Sequence, residues 1–439
     1  MFNQQILDDY FKIVYEMEDI AKEDLKLLRK KVSSSTATYH GEPVPITYQP
    51  MLLPKKTVDD FRRISKILMS ITRKVVSKFL EDEDYRKLFH FDSDLVDYIL
   101  MDPAYSLPVP IARYDLFYNE ADDFMLCELN TDGSSAMNED NVLADLFIET
   151  EAMKKLSENY SIKSFDLFTP WVEKVISFYK ENKKEDLKNV AIVDFIDKGT
   201  GTDFKVFKEK FEEKGVNCKI VDPRDIKYKD GSIYFEDFEI QLVYRRAVTR
   251  DLFERREEIG EFLKGYKENA FLMLGSFRSQ IMHSKLIFKV FRDPKTREIL
   301  SEEENEFIEK RVPFTDIFDN KDAYYKVLEN KDKYILKPFD GYASGGVVAG
   351  REHSQEEWEY ILNDIFGSNY IYQEYFEQEK MDFLVLKNGE FVNVPQARVF
   401  GLFIYMEEFV GLYTRVGNEA LISGAREYIV TPSFELSDK

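Results

Sequence analysis

The chain has 439 residues, of which 44% are apolar and 15% aromatic, so it can bury a large core divided between two or three lobes. Its formal net charge of −21 opposes binding to nucleic acid, because contact with a phosphate backbone needs clustered lysine and arginine side chains. The chain has only two cysteines, which predicts no disulfide framework, and its four histidines lack the spacing of a zinc site. No apolar run is long enough to span a bilayer, so a cytoplasmic protein without membrane contact is predicted.

The N-terminal part is predicted to be mainly helical. Apolar side chains recur at helical spacing over 5–31 and 57–80, with charged faces between them. The intervening segment 33–54 is rich in Ser, Thr and Pro, which predicts a loop or an extended connection.

A β-hairpin is predicted between Val109 and Thr131, where two strand-like segments flank a polar turn at 119–123. Helices are predicted over 139–159 and 168–183. Beyond them, NVAIVDFID, a charged helix and NCKIVDP predict an α/β unit.

The strand IQLVYRRA and a helical region over 250–267 are predicted next. The acidic run SEEENEFIEK is predicted to be a solvated loop that leads into a helix. The segment KYILKPFDGYASGGVVAG predicts a strand, a glycine-rich loop and another strand, and YIYQEYF, DFLVLKNGEFV and FVGLYTRVG predict further strands.

The hairpin carries the first group of candidate functional residues. Arg113 and Asp115 share one face of the first strand, and Glu128 and Asn130 share one face of the second. A turn centred at 121–122 would place Asp115 opposite Glu128, giving hard oxygen ligands suited to Mg²⁺ beside a guanidinium that can neutralise a phosphoryl group. Spacing alone favours the alternative, which is an exposed polar face with ordinary salt bridges.

The glycine-rich segment forms the second group. A strand delivers Lys337 to a loop whose backbone N–H groups can approach phosphates closely, because glycine has no side chain to obstruct them. A flexible β-turn is the alternative. The third element is the strand that ends at Glu374. Its backbone groups can bind an adenine edge. Alternatively, it is a core strand that is followed by charged residues.

These three elements together resemble the circularly permuted ATP-grasp group, which includes glutathionylspermidine synthetase and eukaryotic glutathione synthetase. In that group a segment like the one from Arg113 to Gly133 precedes the nucleotide-binding lysines, whereas the usual ATP-grasp order places the metal ligands last. The resemblance spans about residues 105–430. It implies an α/β fold of the ATP-grasp type with permuted segment order.

The resemblance also implies roles for individual residues. Asp115, Glu128 and Asn130 match Mg²⁺ ligands, with two ions expected. Arg113 matches the arginine that stabilises the transferring phosphoryl group, and Arg415 matches a contact to phosphate or substrate. The implied ATP site consists of two lysines, a phosphate-covering loop and an adenine hinge: Lys285, Lys337, Gly341, Ser344, Gly345, Gly346, Glu374 and Tyr375.

Four regions follow from this comparison. Residues 1–100 form a helical N-terminal region that matches nothing in the family. Residues 101–185 hold the metal-ligand hairpin and helices of the ATP-grasp core, 186–270 resemble the α/β substrate domain that accompanies ATP-grasp folds, and 271–439 form the ATP-binding lobe with the closing strands.

The implied activity is an ATP-dependent ligase that joins a small-molecule or peptide carboxylate to an amine through an acyl phosphate, with ADP and phosphate as products. Two other functions stay open, which are a kinase of the same architecture and a nucleotide-binding partner subunit without turnover. Related architectures are often dimers, so a homodimer is one of the open assemblies.

Overall fold

The computed structural model describes residues 4–197, 201–341, 344–422 and 428–439. The N-terminal region is mainly helical, as predicted, but non-helical backbone at Met17 divides the first predicted helix in two. Short strands occupy part of the predicted connection 33–54. The elements of this region are the helices Gln4–Glu16, Glu18–Ser33, Lys55–Glu81, Glu83–Arg86 and Ser93–Leu100, and the strands Thr38–Tyr39, Glu42–Pro43 and Met51–Pro54.

A long antiparallel sheet forms the centre of the molecule. The predicted hairpin supplies two adjacent strands, and the C-terminal part of the chain supplies the others. Its hydrogen-bonded order is Ile429–Thr431, Glu408–Gly417, Glu390–Tyr405, Ile111–Glu120 and Asp123–Asn130, and Met381–Lys387 pairs with the first half of Glu390–Tyr405.

Both faces of this sheet are covered. Phe61 of helix Lys55–Glu81 contacts the rings of Phe400 and Tyr118 on one face. Trp171 of helix Thr169–Lys183 contacts Tyr405 on the other face. Alternate side chains of a strand point to opposite faces, so a strand buried on both sides appears in the sequence as the continuous apolar run VFGLFIY.

The predicted α/β unit forms a separate parallel sheet. Its order is Leu272–Leu274, Leu242–Arg245, Asn189–Val193 and Asn217–Val221. Helix Thr202–Glu213 connects the last two strands, close to the predicted range 203–214. A small antiparallel sheet that was not predicted is inserted in the chain between Asn217–Val221 and Leu242–Arg245, with strands Lys227–Lys229, Ser232–Phe235 and Phe238–Ile240.

A third sheet belongs to the C-terminal lobe and has its own apolar core, which includes the buried Trp358. Its antiparallel order is Thr315–Ile317, Tyr370–Glu374, Tyr334–Pro338 and Val348–Ala349. Helices Lys321–Glu329 and Gln355–Ile365 contribute to this core.

A three-stranded sheet joins distant parts of the chain. Ser433–Asp438 pairs in parallel with Met51–Pro54 and in antiparallel with Tyr160–Ser164. The helix predicted over 139–159 is wrong as a single element, since the structure has two shorter helices before this strand. The remaining helices are Met137–Phe147, Glu151–Leu156, Thr249–Glu254, Gly260–Lys267, Ser279–His283, Ile287–Val290, Pro294–Arg297 and Glu302–Arg311.

No helix in the described ranges is both long and apolar enough to cross a bilayer. Cys127 and Cys218 are free and lie in strands. The four-region division of the chain stays a prediction.

The acidic run at 301–310 contains the start of a helix, as predicted, but the predicted loop is wrong. The helix Glu302–Arg311 takes in almost the whole run and begins with a capping box between Ser301 and Glu304. Glu304 is only 5% exposed and accepts hydrogen bonds from Ser70 (2.6 Å) and Lys74 (2.5 Å) of helix Lys55–Glu81. The run therefore contributes contacts that link the N-terminal region to the rest of the protein.

Replacing Glu304 by alanine removes both the capping interaction and the link to Lys74. We expect Glu304→Ala to lower the free energy of unfolding by about 2 kcal/mol. Glu306→Ala on the same helix, which removes only an exposed pair with Lys310, should cost less than about 0.5 kcal/mol. Urea unfolding measures both, and equal losses would contradict the assignment.

Candidate functional site

The hairpin brings its polar residues together as predicted. Asp115 lies opposite Glu128 and Arg113 lies opposite Asn130 in the strand register. Arg113 donates two hydrogen bonds to the carboxylate of Asp115, at 2.8 and 3.1 Å, and Arg415 donates a third at 2.6 Å. Asp115 is 1% exposed, so its negative charge is compensated entirely within the protein by these two guanidinium groups.

A glycine of the neighbouring strand makes room for this cluster. Gly401 pairs with Asp115 in the sheet, and a Cβ atom at Gly401 would lie 2.8 Å from Cδ of Arg113 and 3.0 Å from Oδ1 of Asp115. Sequence analysis did not identify this residue. A glycine inside an apolar strand pattern is nevertheless a recognised sign of close approach by another group.

Lys285 reaches the same site from a different part of the chain. Its Nζ atom lies 3.1 Å from Oε1 of Glu128 and donates a hydrogen bond of 2.8 Å to the carbonyl of Gly341. Burial disfavours the charged carboxylate, but the ammonium groups of Lys285 and Lys337 outweigh burial and lower the pKa of Glu128 to about 2. Glu128 is therefore held as a carboxylate.

Lys337 is the second lysine of the cleft and is 7% exposed. Its Nζ atom donates hydrogen bonds to the carbonyl of Cys127 (3.1 Å) and to the side-chain oxygen of Gln373 (2.7 Å). Burial lowers the pKa of Lys337 below its ordinary value, because the charged form loses hydration.

The glycine-rich loop is described at Gly341 and from Ser344 onward. Gly346 has a φ of +73°, and a Cβ atom there would lie 2.7 Å from the hydroxyl of Tyr370, so glycine is required at this position. Ser344 also has a positive φ, of 56°. The loop residues 342–343 lie outside the described residues. So do residues 423–427, which the resemblance matches to the closing strand and loop of the family.

The predicted hinge residues line the cleft, but their amides are already engaged. The N–H of Glu374 donates to the carbonyl of Phe314, and the N–H of Tyr375 donates to the carbonyl of Lys333. An adenine edge would therefore have to use a carbonyl oxygen of this segment and an N–H from beyond Tyr375. Phe376, which also lines the cleft and which the sequence analysis did not single out, is the next residue to offer one.

Many of these residues line one cleft, whereas Arg113, Asn130, Gly341, Gly345 and Gly346 are not among its lining residues. The sheet of the C-terminal lobe forms one wall and the hairpin forms the other. Apolar side chains dominate the end nearest the hinge, where the rings of Phe117 and Phe376 are parallel within 14° and 6.1 Å apart. The lining includes Asp115, Met125, Cys127, Glu128, Lys285, Lys337, Ser344, Gln373, Glu374, Tyr375 and Arg415.

Among the predicted metal ligands Glu128 fits a magnesium ion best, because its carboxylate is ionised and partly exposed. Asn130 could contribute only its amide oxygen, and its buried amide nitrogen has no partner among the described residues. Mg²⁺ is usually held by one or two carboxylates together with substrate phosphates, so Glu128 suits it. Asp115 fits less well, because two arginines already occupy its carboxylate. No group of three His, Cys, Asp or Glu side chains suited to a metal occurs in the described ranges.

The segment from Val243 to Arg246, which precedes Lys285 in the resemblance, has a structural role. Arg245 is buried and bonds the carboxylate of Asp132 and the carbonyls of Gly275 and Ala247. Asp132 in turn accepts a hydrogen bond of 2.6 Å from the N–H of Thr249. This network connects the end of the hairpin to the parallel sheet.

The chain matches no protein-family model, and no curated protein is significantly similar to it in sequence. Among solved structures it is similar to a glutathione synthetase-like effector from Globodera pallida in its apo form, with a TM-score of 0.58 and 12% identity, covering 95% of this chain and 97% of that one. The ATP-grasp ligase PsnB with a minimal precursor (TM-score 0.31, 13% identity, 58% and 91% covered) and D-alanyl-alanine synthetase A from Vibrio cholerae (0.28, 8%, 57% and 89%) are too distant to support an argument.

The similarity at 12% identity establishes the fold alone. The protein has the α/β fold of that glutathione synthetase-like structure, in agreement with the predicted resemblance. In the chain, the hairpin precedes the C-terminal lobe, and it shares a sheet with the strands that follow that lobe.

Removing Arg245 would leave the carboxylate of Asp132 buried without its main counter-charge. We expect Arg245→Met to lower the free energy of unfolding by about 3–5 kcal/mol, the usual cost of an uncompensated buried charge. Arg256→Met is the matched control, because Arg256 is exposed and should change stability by less than about 0.5 kcal/mol. Urea unfolding compares them, and a small effect at Arg245 would refute the structural role.

Proposed function

We propose that this protein is an ATP-dependent ligase that activates a carboxylate as an acyl phosphate and transfers the acyl group to an amine, releasing ADP and phosphate. The observation that carries this proposal is the arrangement of two buried lysines, an ionised glutamate and Arg415 around one cleft, with Arg113 bonded to the same carboxylate as Arg415. Such a cleft suits phosphoryl transfer, which depends mainly on positioning and on stabilisation of negative charge.

In this proposal the apolar end of the cleft holds the adenine, between the hinge and the rings of Phe117 and Phe376. The carbonyl of Glu374 and the N–H of Phe376 would recognise the adenine edge. Lys285 and Lys337 would bind the phosphates, since both present an ammonium group at the cleft wall. Ser344, Gly345 and Gly346 would approach the phosphates through their backbone.

Glu128 and Asn130 would hold Mg²⁺, which supplies charge neutralisation for the phosphates when it is bound. Lys285 contacts Glu128, so one carboxylate would orient both a metal ion and a phosphate-binding lysine. Asp115 takes a different part in this proposal from the predicted one. It would hold the guanidinium groups of Arg113 and Arg415 beside the reacting phosphoryl group rather than bind the metal itself.

The reaction needs no protein nucleophile, because the substrate carboxylate attacks the terminal phosphate. The only thiol among the lining residues belongs to Cys127, and burial raises its pKa to about 11, so it is unreactive at neutral pH. The enclosed cleft would also limit hydrolysis of the acyl phosphate by water before the amine attacks.

The test is an ADP-release screen with MgATP over pooled amino acids, small peptides and polyamines, followed by mass spectrometry of any product. We expect ADP, phosphate and an amide. A stable phosphorylated product would identify a kinase instead, and nucleotide binding without ADP from any pool would favour a partner subunit without turnover.

Glu128→Gln and Asn130→Ala test the assignment of the metal ligands. We expect each to lower amine-dependent ADP release by about 100-fold or more, the scale of losing one preorganised contact to developing charge. Both variants should remain folded, although Glu128→Gln should be less stable because Lys285 loses its charged partner. Glu23→Gln, which removes only an exposed pair with Lys26, is the matched control and should keep full turnover. Full turnover in both site variants would refute the assignment of Glu128 and Asn130 as metal ligands.

A further inference from the structure

Lys337 is connected to a chain of polar groups that runs across the sheet of the C-terminal lobe. The side-chain oxygen of Gln373 accepts a hydrogen bond of 2.7 Å from Nζ of Lys337, and the amide nitrogen of Gln373 donates one of 2.9 Å to the hydroxyl of Thr315. That hydroxyl donates to the carbonyl of Pro313 at 3.1 Å. Gln373 and Thr315 are each 3% exposed and lie directly opposite each other on neighbouring strands.

The donors and acceptors of this chain leave one consistent arrangement. An ammonium group can only donate, so the atom of Gln373 that faces Lys337 must be the oxygen. The nitrogen of Gln373 then faces Thr315 and must donate to it. The hydroxyl of Thr315 consequently sends its own hydrogen to Pro313. The amide of Gln373 is therefore fixed in orientation rather than interchangeable.

The same contacts fix the direction of the lysine. Lys337 has three N–H groups, and the described contacts use two of them, for the carbonyl of Cys127 and for Gln373. The third N–H remains for the cleft, whose wall both Lys337 and Gln373 form. Two anchored hydrogen bonds on a buried ammonium leave little freedom for the remaining one.

The neutrality of Gln373 is as important as its position. A carboxylate at this site would pair with Lys337 and cancel the charge that attracts a phosphate, whereas an amide holds the ammonium and leaves its charge in place. A charged partner is nevertheless common for a buried lysine. The combination found here keeps the lysine available for an anion from outside the protein.

We propose that Gln373, itself held by Thr315, is a positioning residue that aims the ammonium group of Lys337 at a phosphate group of bound ATP. This inference rests on the proposed function, because it takes the nucleotide as the occupant of the cleft. Beyond that function, it assigns Gln373 a role that is exerted through Lys337, and it explains why the residue at this position is uncharged.

The experiment measures the dissociation constants of MgATP and of adenosine by calorimetry for the wild type and for the variants. We expect Gln373→Glu to weaken MgATP binding at least about 30-fold and Thr315→Val to weaken it about 5-fold, in keeping with hydrogen bonds to charged groups. Adenosine binding should change less than about twofold, because adenosine has no phosphate for Lys337 to contact. Thr315→Ser keeps the hydroxyl and should restore wild-type MgATP binding.

Gln49→Met is the matched control for loss of a buried glutamine. Gln49 is fully buried and bonds the backbone of Asp382 and Leu384, and it is not among the residues that line the cleft. This variant should lose stability without losing affinity for MgATP. If Gln373→Glu proves unfolded, Thr315→Val and Thr315→Ser carry the comparison.

Two results would overturn the inference while leaving the proposed function intact. One is wild-type affinity for MgATP in Gln373→Glu and Thr315→Val. The other is an equal loss for MgATP and adenosine, which would show a general disturbance of the cleft. If the wild-type protein does not bind MgATP, the use of ATP in the proposed function is refuted, and the inference is refuted with it. This result is obtained before any variant is made.

Discussion

The contact between Lys285 and Glu128 is the interaction on which the rest of the site depends. It joins a residue of the hairpin to a residue more than 150 positions later, and the same ammonium holds the carbonyl at the start of the glycine-rich loop. A charge in a partly dehydrated cleft is costly without a partner. Lys285 is paired with Glu128, and Arg113 and Arg415 are paired with Asp115. Lys337 differs, because its two hydrogen-bond acceptors are neutral.

This pairing constrains how the lobes assemble. The hairpin must pack against the strand 390–405 for Arg113 and Asp115 to fit over Gly401, and the C-terminal lobe must approach the hairpin for Lys337 to reach Cys127. The contacts that position the cationic groups are thus also contacts between distant segments. Ligand affinity and tertiary structure are consequently linked in this protein, since a shift of either wall would move the charges that face the cleft.

The sequence predicted those features that depend on local pattern. The hairpin and its register came from alternation and a polar turn, and placed Asp115 opposite Glu128 correctly. Helix 168–183 came from apolar periodicity and was also correct to within a residue. Errors occurred where local signals are weak, as at 301–310, where acidic residues suggested solvent exposure although Glu304 faces Lys74 from another helix.

Residue types and spacing by themselves determined the strand-borne motifs, because these depend on periodicities of two and 3.6 residues that are local along the chain. The expected fold came from the resemblance of these motifs to a known family. Only the tertiary structure decided which partner each charged group has. It showed that two arginines bind the carboxylate of Asp115, that Arg245 is paired with the buried Asp132, and that Gln373 accepts a hydrogen bond from Lys337. Pairing of buried charges depends on distances between remote segments, and sequence spacing carries no information about those distances.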